Sequence, residues 1–557
     1  MEPLWEITMG ALIDKISEQF SNNEAVVYTD RDFRKTYGEF RELCDRAARG
    51  LISIGVKKGD KVAVWATNEP EWLILMWAAA KIGAVMVTVN TNYKIFELEY
   101  SLRQSDSTTL VLMGKSANNN YVDILNDLCP TLASSKPGEL RCEKLPLLKN
   151  AVYIGAKNAT PTGMFNWTDL YDMAENTSLK EFESVQTSVS PHDITNMQYT
   201  SGTTGFPKGV TLTHYNVINN GKAIGDRMKF TPEDRLCIPV PFFHCFGMVL
   251  SIMACVTHGS VMAPIDLYAP RKVMYAIQKE RCTACHGVPS MFIAMLEHHD
   301  FNKYDYSSMR TGIMAGSPCP EPLMKQVVER MNMREITIVY GLTEASPGCT
   351  QTRADDTLEH RVSTVGFPLP GVECKIINPD TGGDLPDGEP GEFCARGYNI
   401  MNGYYKMAEA TAQIIDSDGW LHSGDIAVRD PDGYYRITGR LKDMIIRGGE
   451  NIYPKEIEEF LYTHPAVKDA QVIGVPSKGY GEEVMAYVIL KDIANPPCED
   501  ELREFIRRRA ARHKVPKYIK YIDEFPMTAS GKIQKYKLRE LAIEELKLQR
   551  YDNIAAV

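Results

Sequence analysis

Three consecutive stretches constrain the fold of this chain more than any other feature. Lys61-Val-Ala-Val-Trp65 is a short apolar run, the pattern of a strand buried on both faces. Glu71 to Ile82 is apolar nearly all round, which predicts a buried helix. Val85-Met-Val-Thr-Val89 is a second run of strand length. Strand, helix and strand at this spacing imply a right-handed parallel crossover. The fold class is therefore α/β. Upstream, residues 12–55 read as a helix, a polar hairpin-like turn and a second helix. Its core face is Phe40, Leu43, Ala47 and Leu51 at helical spacing. Downstream, Leu110-Val-Leu-Met113, Ile313-Met-Ala315 and Ile336-Thr-Ile-Val-Tyr340 read as further strands, and Thr213 opens a helix. Near the C-terminus a helix over 454–462, with Ile457, Phe460 and Leu461 inward, precedes strands at 470–475 and 484–490. A chain of 557 residues exceeds what one core usually organises, so two or more domains are expected.

The second constraint is chemical. Tyr199-Thr-Ser-Gly-Thr-Thr-Gly-Phe-Pro-Lys-Gly209 packs three glycines, three threonines, a serine and a lysine into eleven residues. Glycines let the backbone fold back and present successive N–H groups as a nest for an anion. The hydroxyls of Thr200, Ser201, Thr203 and Thr204 add donors, and Lys208 adds a full charge. The stretch reads as a loop for polyphosphate. It is not the GxxxxGK[ST] loop, because the lysine follows Pro207 and no Ser/Thr comes after it.

Composition excludes several classes. A formal charge of −10 leaves no basic excess for nucleic acid. No apolar run reaches about 18 residues, so no transmembrane helix is expected. The acidic start, Met1-Glu-Pro-Leu-Trp-Glu6, fits neither a signal peptide nor an Arg-rich transit peptide, and a cytoplasmic location is expected. The thirteen cysteines are scattered and odd in number, as for reduced thiols. Cys129 and Cys142 flank a polar loop and are expected to stay reduced with the others. Cys282-Thr-Ala-Cys285-His286 matches the spacing for covalent haem, but it runs straight into apolar Gly287-Val-Pro-Ser-Met-Phe292 and reads as a buried strand and turn.

The Tyr199–Gly209 string resembles the signature of the acyl-adenylate-forming superfamily, which includes acyl-CoA synthetases, beetle luciferases and peptide-synthetase adenylation domains. The resemblance covers nearly the whole chain and is nearest to the medium- and long-chain fatty acyl-CoA synthetases. It implies a large N-terminal domain, residues 1–440, with stacked mixed sheets in a five-layered αβαβα core plus a small β-barrel. A small mobile α+β domain, residues 441–557, follows, with Lys442 as hinge. The reaction implied is ATP-dependent ligation of a carboxylic acid to coenzyme A through acyl-AMP, with Mg²⁺. Transfer to a carrier-protein pantetheine is the alternative. A homodimer is compatible with the sequence.

The resemblance also implies site residues. Thr200, Ser201, Gly202, Thr203, Thr204, Gly205 and Lys208 would hold phosphates. Ala315, Gly316 and Ser317 would meet the adenine, with Tyr340 stacked on it and Gly341 and Thr343 beside it. Asp425 would accept both ribose hydroxyls, a geometry a carboxylate suits, with Ile437 and Arg440 nearby. Glu344, with Thr200, would hold Mg²⁺, a hard cation that takes oxygen ligands. His244 would orient the acyl carboxylate, and Phe246, Met248, Leu250, Gly341 and Gly348 would line the acyl tunnel. Relatives that act on acetate carry tryptophan where Gly341 stands, so this chain is expected to accept larger acids. No acidic residue lies near Pro241-Phe-Phe-His244 to hold an amino group, which argues against an amino-acid substrate. Lys532, in Pro526-Met-Thr-Ala-Ser-Gly-Lys-Ile533, would be catalytic, its compact ammonium reaching carboxylate and α-phosphate together. Gly448 and Gly449 would face pantetheine in the second half-reaction, and Lys478 and Tyr480 would meet the nucleotide of CoA.

Overall fold

A computed structural model describes residues 3–116, 119–200, 207–317, 319–447, 450–477, 480–508, 510, 512–527 and 533–548, with backbone only at 450 and 451. Two large sheets organise the first 370 residues and take in one later strand, Gly403–Tyr404. The eight-stranded sheet runs, in spatial order, Gly403–Tyr404, Lys208–Thr213, Ile194–Thr200, Val85–Thr88, Lys61–Trp65, Ser107–Met113, Asn150–Ile154 and Phe165–Asn166. The nine-stranded sheet runs Phe367–Pro368, Gly348–Gln351, Glu335–Gly341, Thr311–Ala315, Ala284–Gly287, Arg235–Ile238, Val261–Pro264, Glu24–Tyr28 and Phe33–Thr36. Lys61–Trp65 and Val85–Thr88 pair in parallel, Val62 against Met86, with the helix Pro70–Lys81 as their crossover.

Alternation along the strands sets the layers. Val62 and Val64 point into one core, while Ala63 and Trp65 point into another with the helices Ile95–Gln104 and Tyr121–Leu128. On the second sheet, Leu236, Ile238 and Ile313 face the same first core, whereas Cys237, Cys285 and Met314 face a third. That third core is closed by the helices Pro270–Glu280, Pro289–Leu296 and Glu321–Arg330. The shared core is filled by the helices Met9–Gln19, Tyr37–Ser53, Pro70–Lys81 and His214–Arg227. The order is therefore helices, sheet, helices, sheet, helices. The middle layer explains why Pro70–Lys81 is apolar all round: residues Trp72 to Lys81 are all buried. Caps fix the starts of its neighbours. Thr36 and Glu39 exchange hydrogen bonds ahead of Tyr37–Ser53, and Thr213 and Asn216 do so ahead of His214–Arg227.

The polar turn expected near residue 30 is the tip of a β-hairpin, Glu24–Tyr28 with Phe33–Thr36, which also pairs in parallel with Val261–Pro264. Leu43 is only half-buried in its helix. Cys129 and Cys142, expected to be reduced, form a disulfide with Cα atoms 5.2 Å apart; the fold returns the polar loop to the end of helix Tyr121–Leu128. Cys282, Cys285 and His286 are fully buried at the strand Ala284–Gly287, as the buried-strand reading expected. His286 exchanges a hydrogen bond with Ser251 at 2.9 Å, and burial pushes its pKa down to about 3.

The small β element after residue 370 is a four-stranded antiparallel sheet of Val372–Ile377, Gly391–Gly397, Leu421–Arg429 and Tyr435–Arg440. A turn at Leu441–Asp443 leads to a five-stranded sheet that begins at Ile445–Arg447 and is centred on Val467–Ser477 and Gly481–Leu490. Two hydrophobic clusters drawn only from residues after 444 close this C-terminal domain. Its helix Pro454–Tyr462 buries Ile457 and Leu461, while Phe460 is half-buried. Lys455 donates to the Ile437 carbonyl at 2.5 Å and Lys468 pairs with Glu297 at 2.8 Å, joining it to the larger domain. Among the described residues no helix is long and apolar enough to cross a membrane.

Candidate active site

Strand ends from both large sheets, together with two strands of the four-stranded sheet, carry most of the candidate residues. Thr200 and Lys208 are paired across an antiparallel hairpin. Of the residues expected to hold phosphates, Ser201, Gly202, Thr203, Thr204 and Gly205 lie outside the described residues, as do Gly448, Gly449, Lys478 and Lys532. On the nine-stranded sheet, Thr311–Ala315 and Glu335–Gly341 run parallel with Ala315 beside Val339. This sets the small residues Ala315, Gly316 and Ser317 one strand away from Tyr340. Gly316 has φ +89°, a conformation that favours glycine. Ligands of open α/β sheets gather at such carboxyl ends.

Two clusters form there. In the first, the buried Asp425 carboxylate accepts from the Tyr340 hydroxyl at 2.8 Å and meets Arg440 Nε at 2.8 Å. Asp425 and Arg440 face each other across paired strands. Loss of hydration, with the Asp425 charge, pushes the Tyr340 phenol well above its ordinary value. The same carboxylate raises the Arg440 guanidinium. The Tyr340 ring meets Phe393 edge-on at 5.0 Å. Ile437 is half-buried on the strand that carries Arg440.

In the second cluster, Thr343 and Glu344 form a short turn after the strand. Glu344 Oε1 accepts from the Tyr404 hydroxyl at 2.7 Å, and the ammonium of Lys208 sits 4.8 Å from the centre of the Tyr404 ring. Burial, then the Glu344 charge, push the Tyr404 phenol up. Tyr404 therefore links the loop lysine to the candidate metal carboxylate. Sequence reasoning missed it: two adjacent tyrosines carry no periodic signal, and Tyr405 turns instead to Asp106, donating at 2.9 Å.

The acyl candidates lie on one wide helical stretch. Phe246, Met248 and Leu250 are buried within the π-helix Phe246–Met253, a form frequent at functional sites. His244 precedes it, half-buried, and its Nδ1 accepts from the Phe246 N–H at 3.1 Å. A neutral ring then carries its proton on Nε2. Met248 touches the strand Ile194–Thr200, through Gln198 Nε2 at 3.5 Å. Gly348 is buried, and its N–H and carbonyl are both held by the Asn220 amide, at 3.0 and 2.9 Å. Gly341 has a local reason to be glycine. A Cβ there would lie 1.7 Å from the Pro347 carbonyl oxygen. Tyr480 lies apart from these clusters, half-exposed with the Arg447 guanidinium 4.6 Å from its ring.

Residues 13–405 match the family described as AMP-binding enzyme, and residues 456–532 match its C-terminal domain. The chain belongs to the AMP-binding enzyme family. A putative acyl-CoA synthetase of Bacillus subtilis, YngI, is 53% identical over 98% of this chain and 99% of its own length. A medium-chain acyl-CoA ligase of Bos taurus, ACSF2, mitochondrial, is 38% identical over 97% of this chain and 88% of its own. Among solved structures, the anthranilate CoA ligase AuaEII in complex with anthranoyl-AMP superposes with a TM-score of 0.85 at 26% identity, covering 98% of this chain and 99% of that one. The first match takes in Lys208, Tyr340, Glu344 and Tyr404, while Asp425 and Arg440 lie between the two matched regions; both domains of the fold are shared with that ligase.

Proposed function

We propose that the chain is a cytoplasmic acyl-CoA synthetase for medium-chain, branched or cyclic monocarboxylic acids. Its reaction is the ATP-dependent ligation of a carboxylic acid to coenzyme A through an acyl-AMP, with release of AMP and pyrophosphate. In the first half, the acid's carboxylate attacks the α-phosphorus and pyrophosphate leaves. In the second, the CoA sulfur attacks the acyl carbonyl and AMP leaves.

The residue roles follow the chemistry of the donors. Asp425 accepts the ribose hydroxyls, and Tyr340 with Ala315–Ser317 flanks the adenine. The Thr200–Lys208 loop, with Lys532, offsets the repulsion between an anionic nucleophile and a polyanion, where negative charge gathers. Glu344 fits a hard divalent cation: it is an anionic oxygen donor oriented by Tyr404 through one oxygen. Mg²⁺ bound there would neutralise phosphate charge. His244 presents Nε2–H toward the acyl carboxylate, and the apolar Phe246–Leu250 wall receives the tail. The observation that carries the reading is the buried Asp425 carboxylate held between Tyr340 and Arg440 at a strand end.

The domain boundary falls at 440/441 and the C-terminal domain turns about Lys442. In support, the four-stranded sheet ends at Arg440, Lys442 is exposed on a three-residue turn, and the next sheet starts at Ile445. Turning withdraws Lys532 and presents Gly448 and Gly449 to pantetheine. The deciding experiment is a screen of CoA-dependent AMP formation across straight-chain acids from acetate to palmitate and aryl acids. AMP formation that peaks beyond acetate and requires CoA supports the reading. ADP as product, or activity only with an acyl-carrier protein, would end it.

A further inference from the structure

The strand carrying Asp425 does not pair evenly with its neighbour. Glu392 is opposite Ile426 and Cys394 is opposite His422, so only Phe393 stands against Ser423, Gly424 and Asp425. Those residues arch out as a bulge, and Gly424 takes φ +69°. Bulges of this kind re-aim side chains beside active sites and leave ladder groups without strand partners. Here the orphaned groups are taken up locally. Glu392 Oε1 accepts the Gly424 N–H at 2.9 Å, while Glu392 Oε2 lies 3.0 Å from His422 Nδ1. His422 Nε2 lies 3.6 Å from Asp416 and Cys394 Sγ lies 3.7 Å from His422 Nδ1. Ser423 Oγ donates to the Phe393 carbonyl at 2.6 Å and accepts from the Asp425 N–H at 3.1 Å. The Glu392 carboxylate is buried, with no arginine or lysine among these partners. Burying a carboxylate is costly unless its hydrogen bonds are made, and these bonds all go to the bulge and to the histidine that begins it.

We propose that Glu392 is a positioning residue for the nucleotide: it holds the Ser423–Asp425 bulge at its middle, Gly424, and at His422, the residue before it, and thereby aims the Asp425 carboxylate at the ribose hydroxyls. This rests on the ribose role given to Asp425 above. Glu392 does not touch the nucleotide itself. It acts by denying the bulge other conformations, so that Asp425 is preset before binding.

The test is calorimetric titration of the full-length protein with AMP and with 2′,3′-dideoxy-AMP. Glu392→Leu should weaken AMP by about tenfold, the equivalent of one hydrogen bond to a charged group, and dideoxy-AMP by less than about twofold. Glu392→Gln should bind AMP nearly as the parent does, because its amide oxygen accepts from Gly424 and its NH₂ donates to His422. Should the leucine variant fail to fold, Glu392→Asp, one methylene too short to span both partners, should give the same selective loss. Equal weakening of both nucleotides, or a glutamine variant as impaired as leucine, would overturn the proposal. Asp425→Asn is the reference and must erase the preference for the ribose hydroxyls. If it does not, the ribose reading fails and takes the proposal with it. If it does while Glu392→Leu keeps the parental preference, the proposal alone is overturned.

Discussion

Gly341→Ala adds one methyl group at the end of the strand that delivers Tyr340 and Glu344. The new Cβ would sit 1.7 Å from the Pro347 carbonyl oxygen and 2.7 Å from its carbon. Ordinary contact begins at about 3.5 Å, so one backbone segment must retreat by well over about 1 Å. The first bond lost is Leu342 N–H to Pro347 O, now 3.0 Å. That bond is worth about 1 kcal/mol, and overpacking in a closed site costs about 1–3 kcal/mol more. The melting temperature should therefore fall by several degrees. Glu344 lies three residues on, and a displacement of about 1 Å at a reacting centre can cost about a hundredfold in rate. AMP formation should drop by roughly that factor, and by the same factor for short and long acids. The assay is the acid screen described above, run beside thermal denaturation. A variant that melts with the parent and loses only the larger acids would refute the reasoning. Gly341 would then be a spacer in the acyl pocket and nothing more.

Other outcomes are expected. Lys532→Ala should nearly abolish acid-dependent pyrophosphate exchange while sparing thioester formation from synthetic acyl-AMP; equal loss of both halves would contradict the division of labour. Tyr404→Phe removes the donor to Glu344 but keeps the ring beneath Lys208, so the Mg²⁺ concentration for half-maximal exchange should rise several-fold while the Lys208 contact survives. A fall in that concentration would refute the orienting role. Burial holds His286 down to about 3 and His214 down to about 4. Both take a proton in the unfolded chain near about 6.5, so stability should be complete above that pH and decline as pH falls toward the folded values. His286→Phe should make the decline in urea midpoint between pH 7 and pH 5 shallower, and an unchanged slope would show that His286 does not contribute to it.

The fold was legible where burial leaves a local mark. Val62–Trp65, Val85–Val87 and Trp72–Ala80 are buried throughout, so their sequences are uninterrupted apolar runs. The turn of the hairpin Glu24–Tyr28 with Phe33–Thr36 was legible, but its place in a sheet was not, because its partner is distant: Val26 pairs with Met262. The disulfide was set aside for a different reason: Cys129 and Cys142 are only 13 residues apart, but the compartment expected for the chain argued for reduced thiols. At the site, Asp425, Tyr340 and Glu344 could be named from short strings of residues. Tyr404 and Glu392 could not. The role of Tyr404 depends on which of two adjacent rings turns inward, and that of Glu392 on a pairing offset visible only when both strands are present.

Because each large sheet is sandwiched between helices, its flat surfaces offer no room for novelty. A polar or bulky replacement there meets packed side chains on either hand. New acid preferences must instead arise at the loops capping the strands, where exchange of a few residues leaves the interior intact. The stretch 241–253 is an exception: its helix Phe246–Met253 is buried in the shared core, so an exchange there must bring matching neighbours with it.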